Sequence, residues 1–170
     1  RKVFDGGGVF PDLSLNTSKH SEIIKTITNN NLVFDYATNY YYNNPISDIN
    51  SFELTDTDFS NFKNYLNNND FSLKTETEKK LNKVLEVAQK EELDDDIEKE
   101  FEALLKSLNE SKVTIIDDNK DYLMKLLTDE IVKQHVYREG LYEYYKIHDE
   151  PIKKATQVLG NPVAYMEYLR

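Results

Sequence analysis

From about Asn16 onward the apolar residues recur at intervals of three and four between polar runs, the spacing that lines one face of an α-helix. SEIIKTITNN predicts a short helix opening at Ser21 and stopped by Asn29, Asn30 and Asn31. NLVFDYATNYYYNNP predicts a second, with a broad stripe of Leu32, Phe34, Tyr36, Ala37, Tyr40 and Tyr41 that ends before Pro45. LTDTDFSNFKNYLNNND begins with Thr55 at a capping position and Asp58 three residues on, where its charge suits the helix dipole. Phe59, Phe62 and Leu66 then share a face. KTETEKKLNKVLEVAQK repeats this grammar, with Thr75 and Glu78 ahead of Leu81, Val84, Leu85 and Ala88.

ELDDDIEKEFEALLKSLNE continues in helical register through Ile97, Phe101, Leu104, Leu105 and Leu108. The acids Asp94 to Asp96 mark a restart, so a separate or kinked helix is expected; unbroken, residues 75–109 would span roughly 50 Å. Val113 to Ile116 reads as a short β-branched knot. A long helix follows, with Leu123, Leu127 and Ile131 spaced by four and Gly140 as a soft point. Asp149 ahead of Pro151 and Asn161 ahead of Pro162 predict two short closing helices, each with proline near its first position. Before all of this, Val3 and Phe4 form a β-prone run beside three consecutive glycines. The expected fold is all-α: a multi-helix domain over residues 18–170, carrying a short extended glycine-rich segment at residues 1–17.

Composition narrows the function classes. A chain of 170 residues can bury one proper core, and its formal net charge of −10 repels phosphate backbones, which disfavours nucleic-acid binding. No apolar run approaches the ~18 residues a membrane span requires. The absence of cysteine excludes disulfides, thiolate catalysis and cysteine-based zinc sites in this chain. Tryptophan is absent too, whereas 12 tyrosines are present, so a core rimmed by amphipathic rings is expected.

Candidate chemistry is sparse. His20, His135 and His148 lie at no zinc-ligand spacing; His135 extends the Leu123–Leu127–Ile131 series and reads as a boundary residue. His148 reads as a cation near a helix C-terminus. Ser60 and Lys63 match the S-x-x-K pattern of some acyl enzymes but lack companion motifs, so a plain helix face explains them better. The acids at 56–58 and 94–96 lack the glycine and terminal glutamate of a calcium loop. Gly6, Gly7 and Gly8 are followed by no G-K-[ST] and show no G-x-G-x-x-G, so they do not form a phosphate cradle. Two tyrosine-rich stretches, Tyr36 with Tyr40 to Tyr42 and Tyr137 with Tyr142, Tyr144 and Tyr145, fit either a helix seam or a partner surface. No catalytic, cofactor-binding or metal-binding residue is assigned, and the chain by itself is expected to be inactive.

The opening RKVFDGGGVFPD is the most specific feature. It resembles the segment G-R-x-V-x-x-G-G-G-I-x-P-D that closes the catalytic domain of carboxy-terminal processing (tail-specific) serine proteases. Arg1, Val3, Gly6, Gly7, Gly8, Pro11 and Asp12 fall on that pattern, with Val9 in the isoleucine place. The likeness continues, more loosely, through LVFDYATNYYYNN, through LTDTDF, through DEIVKQHVYREGLYEYY and through DEPIKKATQVL with its NP turn. It resembles the C-terminal extension of the bacterial branch of that family.

This resemblance implies a parent endopeptidase with a serine nucleophile activated by a lysine of lowered pKa, accompanied by a PDZ module, acting in the periplasm or cell envelope. Those elements would precede Arg1, so only Gly6, Gly7, Gly8, Pro11 and Asp12 carry over, as a conformational motif at the edge of the protease core. The expected partners are the protease and PDZ domains of the same protein, its protein substrates or an adaptor, and a second copy in a homo-oligomer. The expected role is a non-catalytic helical accessory domain that docks on the core, shapes substrate access or mediates assembly. The alternative is a free-standing helical interaction module unrelated to proteolysis.

Overall fold

The computed structural model describes residue 13 and residues 21–69, 74–91 and 95–168, with the side chains of residues 95, 96 and 164 outside that description. The motif Gly6, Gly7, Gly8, Pro11 and Asp12, together with His20, lies outside the described residues. Within them the regular structure is helical throughout: α1 (Glu22–Asn29), α2 (Leu32–Asn43), a 3-10 turn (Ile49–Ser51), α3 (Asp56–Asn68), α4 (Glu76–Lys90), α5 (Asp95–Asp118), α6 (Lys120–His148), α7 (Glu150–Leu159) and α8 (Pro162–Tyr168).

Local chemistry sets most of the helix starts. The Ser21 hydroxyl accepts the Ile24 N–H. Thr55 and Asp58 form a complete capping box: the Thr55 hydroxyl accepts the Asp58 N–H at 3.3 Å and the Asp58 carboxylate accepts the Thr55 N–H at 2.7 Å. Thr75 and Glu78 do the same at the head of α4. Asp149 accepts the Ile152 N–H, and Asn161 the Val163 N–H, in each case beside the expected proline.

The main core gathers Ile24 and Ile27 of α1, Leu32, Val33 and Tyr36 of α2, Phe59, Phe62 and Leu66 of α3, Ile116 of α5, and Leu123 and Leu127 of α6. Tyr36 lies against Phe62 with ring centroids 5.1 Å apart and against Tyr65 at 5.4 Å. A smaller cluster of Val132, Leu141 and Tyr144 packs with Ile49, Phe52, Val136 and Tyr145.

Three details differ from the sequence expectation. In α2, Val33 is buried and Phe34 is 51 % exposed, because α2 lies along α1 and α6 and presents a face rotated by about one position. In α4 the inward row is Glu78 and Ala88 with Leu81 and Leu85 at its margin, while Val84 faces out. Val113 to Ile116 is no β-branched knot: α5 runs through it to Asp118, and Ile116 enters the core. Tertiary burial overrides the weak strand preference of these side chains. The separate start of the helix at residue 95 agrees with the restart expected there.

The largest departure lies in α6. It is not one straight rod. Tyr137 has φ 58° and ψ −168°, an extended left-handed conformation that is essentially reserved for glycine. The chain reverses there, and residues 138–148 return antiparallel along residues 120–136. In a straight helix Lys125 and Asp149 would stand roughly 36 Å apart; here their charged groups are 3.0 Å apart. Gly140 confirms the reversal, since a Cβ built on it would lie 2.3 Å from the Val136 Cβ. In a continuous helix those two positions are ~5–6 Å apart. Gly140 is therefore no soft point in a long helix but the residue that lets the returning arm approach.

At the α4–α5 hairpin, Lys112 donates to Glu78 at 2.7 Å with both side chains at or below 10 % exposure. Burial pushes the Glu78 carboxyl up, but the hydrogen bonds from Lys112 and Thr75 outweigh it and hold the group below its ordinary range. Further out, Gln89 of α4 donates to Glu98 of α5 at 2.7 Å, which completes the antiparallel register.

Candidate functional site

The serine–lysine pair fails as a catalytic dyad on geometry. Ser60 donates its hydroxyl to the Asp56 carbonyl at 3.0 Å, a back-bond inside α3. Lys63 reaches the other way, to the Asp117 carboxylate at 2.7 Å, with its ammonium 5.4 Å from the Phe59 ring centre. Neither group activates the other. Asp56 pairs with Lys120 at 2.7 Å, and the hydrogen bond from that ammonium, followed by its charge, holds the carboxyl below its usual range. Asp58 is committed to its capping box. Among the described residues, no three His, Asp or Glu side chains gather into a metal-holding group.

Both described histidines bridge elements. His135 hydrogen-bonds the Ile131 carbonyl through Nδ1 at 2.9 Å and meets the Tyr41 ring edge-on, centroids 4.6 Å apart. It is half-buried at the α2–α6 boundary, as its place in the apolar series predicted. His148 stacks on Tyr144 at 4.1 Å, and its Nε2 hydrogen-bonds the Asn50 carbonyl at 2.7 Å. It thereby ties the end of α6 to the 3-10 turn.

The tyrosine-rich stretches each divide between seam and surface. Tyr36 and Tyr144 are core residues. The Tyr144 hydroxyl donates to the Phe52 carbonyl at 2.9 Å, and burial pushes both phenols up to about 12. Tyr42, Tyr137 and Tyr142 point outward, Tyr42 and Tyr137 more than three-quarters exposed. Tyr41 touches both Tyr42 and His135, which ties the first stretch to α6 two residues ahead of the reversal.

One concave feature was not visible in the sequence. A cleft of about 270 Å³ opens where the end of α6 meets α7, lined by Lys125, Asp129, Tyr144, Tyr145, His148 and Asp149 among others. The Lys125 ammonium sits 3.0 Å from Asp149, 4.0 Å from Asp129 and 4.9 Å from the Tyr145 ring centre. Burial pushes the Asp129 carboxyl up, against the opposing pull of Lys125 and of the hydrogen bond from Tyr145. Burial and that same hydrogen bond raise the Tyr145 phenol. Protonated phenols donate hydrogen bonds but do not attack or abstract protons at neutral pH. This cluster clasps the two arms of α6 and the head of α7 together.

These described elements therefore form a helical body whose polar clusters are occupied with holding it together. The family described as "probable PDZ-protease, C-terminal helical domain" matches residues 23–159, from α1 to the end of α7. The chain belongs to that family. Searches against curated proteins and against solved structures return no match. Among the described residues no helix is long and apolar enough to cross a membrane.

Proposed function

We propose that this chain is the accessory domain of a carboxy-terminal processing serine endopeptidase, docking on the catalytic core and shaping the approach of substrate tails. The family match over residues 23–159 carries this reading. The triple-glycine motif at Gly6, Gly7 and Gly8, which resembles the closing segment of such a catalytic domain, supports it from the sequence side. On this reading residues 1–17 end the protease domain, residues 18–170 form the accessory domain, and both work in the periplasm or cell envelope. The parent's Ser/Lys dyad and PDZ module are then the domain's partners in the same protein. Exposed apolar side chains on α7 and α8, notably Leu159, Val163 and Met166, supply a surface for such contacts.

The test compares cleavage of a protein bearing an unstructured apolar tail by the parent with and without residues 18–170. Truncation is expected to alter the rate or the substrate range while Ser60→Ala leaves both unchanged. Unaltered cleavage by a stably folded truncated parent would sink the reading, as would turnover by the isolated chain that Ser60→Ala abolishes.

A further inference from the structure

The reversal at Tyr137 sets two conformations of the same sequence against each other. No proline, and no glycine at the turning position, breaks the helical pattern between Lys120 and His148. Local preference therefore favours a continuous helix, and the observed turn is made by forcing a tyrosine into backbone space that suits glycine. The turn has no loop to spare: Val136 fills the place where a Cβ on Gly140 would stand. What holds the arms closed lies entirely between them and the elements beside them. These contacts are the Lys125–Asp149 bridge, the Val132–Leu141–Tyr144 cluster, the Tyr144 bond to Phe52 and the His148 bond to Asn50.

Each of those contacts is satisfied equally by the returning arm of a second chain. We propose that α6 straightens through Tyr137 and that two copies exchange residues 138–168, so that each returning arm, with its α7 and α8, packs on residues 120–136 of the other. The exchange relieves two strained turns and rebuilds the closed contacts. A short, strained hinge is the condition under which such swapping is cheapest. The occupant of each open arm is thus a second copy of this chain, and the proposal stands whether or not the protease reading holds.

The test uses the full-length protein, mixed as ¹⁴N and ¹⁵N preparations, partly unfolded and returned to native buffer at high concentration. Monomer and dimer are separated with light-scattering detection and treated with a carbodiimide. This reagent condenses the Lys125 amine with the Asp149 carboxylate where they touch, with loss of water. Exchange predicts mixed-isotope Lys125–Asp149 peptides in the dimer, close to half of the total, and same-isotope peptides alone in the monomer.

Two variants shift the balance in opposite directions. Tyr137→Gly relaxes the closed turn and lowers the dimer fraction about tenfold. Gly140→Ala crowds the closed turn yet suits a straight helix, and raises it. Absence of a dimer, a dimer containing only same-isotope links, or a Tyr137→Gly dimer fraction equal to or above that of the natural sequence would each overturn the proposal. Should Gly140→Ala fail to fold, Tyr137→Gly and the isotope pattern decide alone.

Discussion

The ammonium of Lys125 lies 3.0 Å from the carboxylate of Asp149, although 24 residues separate them along the chain. That contact exists only because the chain folds back at Tyr137, and it joins the first arm of α6 to the residue that caps α7. Lys125 is half-exposed, so its bridges are screened. Replacement by alanine is expected to cost about 1 kcal/mol at low salt and clearly less in 1 M salt, as urea denaturation at the two ionic strengths will measure.

The pair formed by Glu78 and Lys112 should behave differently, because it is buried. Lys112→Met leaves a carboxylate without its counter-charge and is expected to cost about 3–5 kcal/mol. Adding Glu78→Gln should recover a large part of that loss. The linkage sign also follows: the folded-state carboxyl sits below its ordinary value, so its contribution is present above the unfolded range near pH 4.3. It fades as pH falls through the folded value. Chemical denaturation between pH 7 and pH 3 tests this, the double variant losing less stability on acidification than the natural pair.

Asp129 has the opposite sign. Its carboxyl is raised by burial, so ionisation opposes folding at neutral pH. Asp129→Asn is expected to raise the melting temperature at pH 7, and the advantage should vanish below about pH 3, where the acid is protonated in both states. A lower melting temperature at pH 7 would mean that the pull of Lys125 and Tyr145 exceeds the burial cost.

In the main core, Phe62 is fully buried, with its ring against Tyr36 and Tyr65. Phe62→Ala should cost about 3–5 kcal/mol by thermal or urea unfolding. The exposed Phe34→Ala should change stability by less than about 0.5 kcal/mol, which checks the orientation of α2 directly.

What the sequence reveals about this fold depends on distance along the chain. Capping at Thr55 and Thr75 is legible because the partners, Asp58 and Glu78, lie one helical turn away and no tertiary contact is needed to favour the pairing. The Leu123–Leu127–Ile131 row is legible for the same reason. The reversal at Tyr137 is not, since the turning position carries a tyrosine rather than a turn-forming residue and the strain is offset by contacts made elsewhere, at Asn50, Phe52 and Asp149. Likewise the cleft beside α7 draws Lys125 and Asp149 together across that unmarked turn. Glu78 reads locally as a cap, and only its distant partner Lys112 explains its burial. Ser60 and Lys63 stand in a recognisable spacing, but Asp56 and Asp117 claim their polar atoms.

The ion pair at the foot of the α4–α5 hairpin also governs how that hairpin can move. Sliding one helix past the other by a single turn would strand two charges away from water, so the pair opposes shear between the two rods. A pull on the distal end of this arm therefore meets, at its base, a charge pair that favours the two helices staying in register.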